Sequence, residues 1–215
     1  METTAALARP RWRGRLHQAA FYVSVPAGLW LVTLGSTAAA KVGAGVYAAS
    51  LAAMYAASAA LHRIEWSPRA LRWMRHLDHS MIFVMIAGTY TPFALLALIP
   101  PWSTIVLALV WGGAALGVAV RLLSRRLGIL EGTLYVVLGW IGALVLPWAI
   151  GNLGATGTSL MFAGGICYTV GAVLFWLRKP ALRPEVFGYH ELWHVLVVAG
   201  SLCHYGLILY LVLRA

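Results

Sequence analysis

The sequence predicts an all-α integral membrane protein, a seven-transmembrane helix bundle, and three observations carry that prediction. Of 215 residues, 61% are hydrophobic and only 10% charged, with a mean hydropathy of +0.82; a soluble domain of this length could not bury that much apolar surface. The apolar residues come in seven runs, each near the ~20 residues a helix needs to cross the hydrocarbon core. The basic residues collect in alternate loops, as membrane topology requires. None of the runs alternates polar and apolar as the strand of a membrane barrel would.

The runs fall at roughly 19–39, 42–62, 79–98, 102–123, 130–150, 158–177 and 190–213. The first follows "RPRWRGR" and ends in "STAAAK"; its apolar stretch exceeds the ~7–15 residues of a secretory signal core, so it reads as a retained helix. The second closes on His62. The third opens at Asp78 within "HLDHS", where an aspartate is well suited to cap a helix. The fourth follows the turn "IPPW" and carries Gly113 and Gly117 one turn apart, a pattern of close helix contact. "GNLGATG" separates the fifth from the sixth, and "RKPALRPE" separates the sixth from the seventh. No linker is long enough to divide the chain, so residues 1–215 read as one domain, without an internal repeat.

Of the sixteen Lys and Arg residues, fourteen fall on one side of this arrangement. They are Arg9, Arg11, Arg13, Arg15, Arg63, Arg69, Arg72, Arg75, Arg121, Arg125, Arg126, Arg178, Lys179 and Arg183; the other side receives Lys41 and Arg214. Cytoplasmic loops retain such residues, which places the N-terminus in the cytoplasm and the C-terminus outside the plasma membrane. The net charge of +10 therefore reads as topology and contact with anionic membrane lipids, not as a nucleic-acid surface. Cys167 and Cys203 form no disulfide framework or CxxC pair and read as small core residues. Trp12, Trp66, Trp73 and Trp102 lie at run ends and read as interface anchors.

A titratable group in hydrocarbon is costly, so its presence there points to function. His62, Asp78, His190 and His194 all fall at the cytoplasmic level of their helices. His190 and His194 are four residues apart, on one face and about 6 Å apart along the axis, a spacing at which two imidazoles hold one metal ion. A third imidazole from another helix would complete the three protein ligands of a catalytic zinc site and leave its fourth position open. His17, His76, His79 and His204 read instead as single histidines that snorkel to water or bond a carbonyl. Ser58, one turn before His62, reads on its own as a helix-packing serine.

Three segments carry a likeness to a known family: "SAALH" (58–62), "LDHSMIFVMIAGTYTPF" (77–93) and "FGYHELWH" (187–194). In order and spacing they closely resemble the signatures of the hemolysin III family, the bacterial branch of the progestin and adipoQ receptor superfamily. The resemblance implies seven membrane helices and a zinc ion held by His62, His190 and His194, with Asp78 beside the metal-bound water and Ser58 next to the site. It also implies an amide hydrolase of lipid-like substrates, since animal relatives are associated with ceramide cleavage; the bacterial branch is named for a lytic effect on cells. Two departures concern any substrate cavity. Many members have an acidic residue and a Thr-His pair where this chain has "RLHQAAF" (15–21), and a tyrosine where it has Leu61.

Three other readings compete. "HELWH" satisfies the HExxH pattern of zinc proteases, with Glu191 as base, but membrane-embedded members take a later aspartate, and Asp78 precedes the pair. Retinal-binding seven-helix proteins need a lysine in the final helix, and the two lysines here are Lys41 and Lys179. The third is a non-enzymatic regulator of membrane state, or a cytolytic or channel-like protein, in which zinc is structural.

Overall fold

The computed structural model describes residues 10–123, 128–180, 182–183 and 185–215. Arg9, Arg125 and Arg126 of the charge pattern, and two positions of "RKPALRPE", lie outside the described residues. Among the described residues there is no strand, and the chain is helical almost throughout: α1 (Arg15–Leu34), α2 (Ala38–Arg63), α3 (Pro68–Ala97), α4 (Trp102–Leu123), α5 (Gly128–Gly139), α6 (Ile141–Leu144), α7 (Leu146–Leu177) and α8 (Tyr189–Val212). Five of them, α2, α3, α4, α7 and α8, are long and apolar enough to cross a membrane, and 130–144 forms a shorter apolar stretch. The protein is a helical membrane protein.

Local chemistry sets the helix ends. Thr37 caps α2, its hydroxyl accepting from the Ala40 amide at 3.1 Å, and Ser67 caps α3 with Pro68 in the first turn, where its missing N–H costs nothing. The third helix thus begins at Pro68, not near 79, because its first turns are basic and amphipathic and escape a hydropathy reading. Asp78 is correspondingly not a cap: it lies in the helix interior, and the capping role belongs to Ser67. The fifth and sixth predicted spans are also redrawn. Helix runs nearly continuously from 128 to 177 with interruptions near Trp140 and Val145, and Gly154 breaks α7 with φ 58° and ψ −168°, a conformation that only glycine adopts readily. The break falls inside "GNLGATG", where the sequence had indicated a loop.

Successive helices pack as neighbours in the pairs α1–α2, α2–α3, α3–α4 and α7–α8, and α8 also lies against α1, α2 and α3. One apolar cluster surrounds Phe83, Tyr90, Val106, Val110 and Leu153; a second surrounds Leu31, Tyr47, Met54, Met85, Val197 and Ile208. Gly113 and Gly117 serve as expected: a methyl group there would collide with Leu138 and Phe83 respectively. Cys167 and Cys203 are free and only half-buried, at the edge of the packing and not in its core. Trp12 and Trp73 are exposed, and Trp102 stacks on Trp148 at 3.8 Å.

The basic segments gather at one end of the bundle. Gly14 abuts His62 and Arg63, the Arg11 and Trp12 amides donate to the carbonyls of Glu185 and Val186, and Arg121 donates to the Arg75 carbonyl. That end also holds the candidate site.

Candidate metal centre

Because α8 packs back against the first three helices, its first turns meet the end of α2 and the start of α1. Glu191 fixes that meeting. It is 1% exposed, pairs through Oε1 with the Arg13 guanidinium, and accepts the Gly188 amide at Oε2 over 2.8 Å. It thereby satisfies an N–H that has no partner within the helix and ties the segment before α1 to α8. Gly14, with φ 78°, turns the chain between Arg13 and α1. A β-carbon at this position would stand 2.6 Å from the His62 Cβ, so both the turn and the close approach require glycine.

On this frame His62, His190 and His194 converge. One ligand nitrogen from each lies within 4.8 Å of the others, and the Nε2 atoms of His62 and His190 face each other at 3.2 Å. The ring centroids are 4.8 Å apart for His62 and His190, 5.3 Å for His62 and His194, and 4.7 Å for His190 and His194. Two nitrogens bound to one tetrahedral zinc at about 2.0–2.1 Å stand roughly 3.3 Å apart. The His62–His190 pair already meets that spacing, and the His194 nitrogen lies within 4.8 Å of both. The donor set therefore fits a metal ion: neutral imidazoles from two helices, half-buried at His62 and His190 and buried at His194.

Ser58 is buried and shares a 2.8 Å hydrogen bond with His17 Nδ1. Of the predicted site residues the structure brings His62, His190 and His194 together, with Ser58 one turn before His62 in α2 and Asp78 in α3. His17 is the residue that the sequence reading misplaced. It does not snorkel; it is 3% exposed and stacks on His194 with centroids 3.8 Å apart and planes inclined by 12°. The depth argument that selected His62 and His190 applied equally to His17, in the first turn of α1, but a histidine without a partner at helical spacing gave no further signal. Arg13 was visible only as part of the basic pattern.

The other histidines lie elsewhere. His204 meets the Met161 carbonyl through Nε2 at 3.3 Å, the carbonyl contact expected of it, while its Nδ1 is buried without a partner. His79 does not bond a carbonyl but donates from Nδ1 to the buried Glu131 at 3.1 Å. Tyr135 Oη lies 2.8 Å from the same carboxylate, and Arg121 donates to it at 3.3 Å. This second polar cluster joins α3, α4 and α5.

Comparison with known proteins agrees with the three motifs. The chain is 36% identical to Hemolysin-3 of Bacillus cereus over 195 residues, covering 89% of this chain and 86% of that protein. It is 29% identical to the Hemolysin-3 homolog of Bacillus subtilis (strain 168) over 199 residues, 90% of each. It is 27% identical to the Monocyte to macrophage differentiation factor of Homo sapiens over 170 residues, 77% of this chain and 68% of that one. The model of the family described as Haemolysin-III related matches residues 5–205, and the chain accordingly belongs to the hemolysin III family.

Proposed function

We propose that this protein is a zinc-binding, seven-span protein of the plasma membrane that hydrolyses a lipid-like amide. The observation that carries the reading is the convergence of His62, His190 and His194 at one end of the bundle. Seven spans are obtained when α1 is counted and the helical stretch 128–177 is divided at Gly154, which supports a single seven-helix domain. The gathering of Arg11, Arg13, Arg63, Arg75 and Arg121 at the site's end supports a cytoplasmic N-terminus and an external C-terminus. A cavity of about 490 Å³ at that end, lined by Arg69, Arg72, Trp73, His76, Leu122 and Leu123, supports contact with anionic lipid headgroups.

A zinc ion on the three imidazoles would supply Lewis acidity to a carbonyl and to water. The chain's own residues would do the rest. Asp78 takes the proton of the attacking water and returns it to the leaving amine, and Ser58 holds its carboxyl in place. Glu191 is not available as the base of an HExxH protease, because both oxygens are engaged by Arg13 and the Gly188 amide.

The test is elemental analysis of the detergent-purified protein, followed by incubation with ceramide-like and other acyl amides. Fatty acid should be released, and Asp78→Asn should lower the rate by about 10²–10⁴-fold, as expected for loss of a general acid–base group, while zinc is retained. Bound zinc without turnover on any amide would defeat the hydrolase reading. It would favour a zinc-dependent regulator or a lytic protein, a reading that the name of the Bacillus cereus relative supports.

A further inference from the structure

The nearest neighbour of the His194 ring is another imidazole that is not among the three converging ligands. An ion bound to an imidazole nitrogen lies near the ring plane at about 2.0–2.1 Å. The His17 and His194 planes are nearly parallel, inclined by 12°, with centroids 3.8 Å apart, so no ion can lie in both planes. His17 therefore does not bind the metal held by His194. Its burial still calls for an account: an imidazole 3% exposed, in the first turn of a helix whose start is fixed by Gly14 against His62 and by Arg13 on Glu191.

We propose that His17 is a positioning residue of the centre, holding the plane of His194 by stacking on it while its own ring is held by Ser58. The proposal rests on the reading of His62, His190 and His194 as a metal site. A metal-bound imidazole needs its orientation fixed from outside the coordination sphere, and loss of such support commonly costs 10–100-fold in affinity; for His194 that support is a ring laid flat on its face. The ring is held in turn from α2, through the 2.8 Å hydrogen bond between His17 Nδ1 and the Ser58 hydroxyl. The first helix thus acts on a ligand from α8 while anchored to Ser58 of α2.

The test uses the full chain in detergent, loaded with cobalt(II), whose visible absorption reports ligand geometry. Binding affinity and spectrum are measured for the wild type, His17→Ala, His17→Phe and Ser58→Ala. His17→Phe keeps a flat ring on His194 but loses the bond to Ser58, and its helical content and elution profile serve as the folding control. We expect His17→Ala to weaken cobalt binding by about 10-fold or more and to shift the absorption bands. His17→Phe should restore most of the affinity, and Ser58→Ala, which cuts the bond but leaves the stacked ring, should weaken cobalt binding by less than His17→Ala does. Wild-type affinity and an unchanged spectrum in both His17 variants would overturn the proposal while leaving the metal site standing. A wild-type protein that takes up no cobalt would overturn the metal reading itself and this proposal with it.

Discussion

Two polar clusters sit near the same end of the bundle, and they solve burial in opposite ways. Around Glu131 every oxygen is matched: His79 and Tyr135 meet one, Arg121 the other. Around His62, His190 and His194 nitrogen faces nitrogen, and the closest contact is 3.2 Å between two Nε2 atoms. The Glu131 network is a fastening that holds α3, α4 and α5 together, with only the Arg121 Nε left buried without a partner among the donors of its four side chains. Lone pairs converging on one point are costly alone and favourable around a cation. The contrast marks the histidine cluster, and not the Glu131 cluster, as the candidate for a ligand without reference to any relative.

Substitutions can break or sharpen this contrast. The largest effect is expected for His194→Ala, which should lower zinc affinity by at least ~100-fold, beyond the roughly 10–100-fold typical of supporting residues; elemental analysis beside the wild type checks it. Glu131→Ala should leave zinc content unchanged but cost about 2–3 kcal/mol of stability, read by thermal unfolding in detergent. Breaking a fully buried ion pair costs about 3–5 kcal/mol, and the 40% exposed His79 and its neighbours recover part of that through water. Glu191→Gln should keep the metal and most of the turnover while losing about 1–2 kcal/mol, the scale of a charge-assisted hydrogen bond. A collapse of turnover with intact stability would restore the protease reading. The smallest effect belongs to His204→Asn, far from both clusters, with unchanged zinc and a stability change within about 1 kcal/mol for one long hydrogen bond.

Much of the site was legible in the sequence because it obeys helical periodicity and depth. His190 and His194 share a face by spacing, and His62 shares their level by topology. The helix start read at Asp78 lies ten residues too late, because hydropathy marks only the apolar part of α3. Its basic first turns, from Pro68 onward, look like loop to such a reading. The division of the 128–177 stretch rests on the backbone of a single glycine, Gly154, and composition there suggested a loop when only one residue leaves the helix. His17 escaped for a different reason. Its partners are His194 and Ser58, far along the chain, and face-to-face packing between distant helices leaves no periodic trace. The Glu131 cluster was hidden for the same reason, since His79, Arg121 and the Glu131–Tyr135 pair come from three different helices.

The return of α8 onto the opening helices has a consequence for biosynthesis. A ribosome delivers His62 early and the pair at 190 and 194 only after five intervening helical segments have been made. A nascent chain stalled before that point holds one imidazole of the three and should gain no hold on an ion. If the three imidazoles hold a metal as proposed, its capture waits until translation has passed α7, when the first helices also gain their covering neighbour.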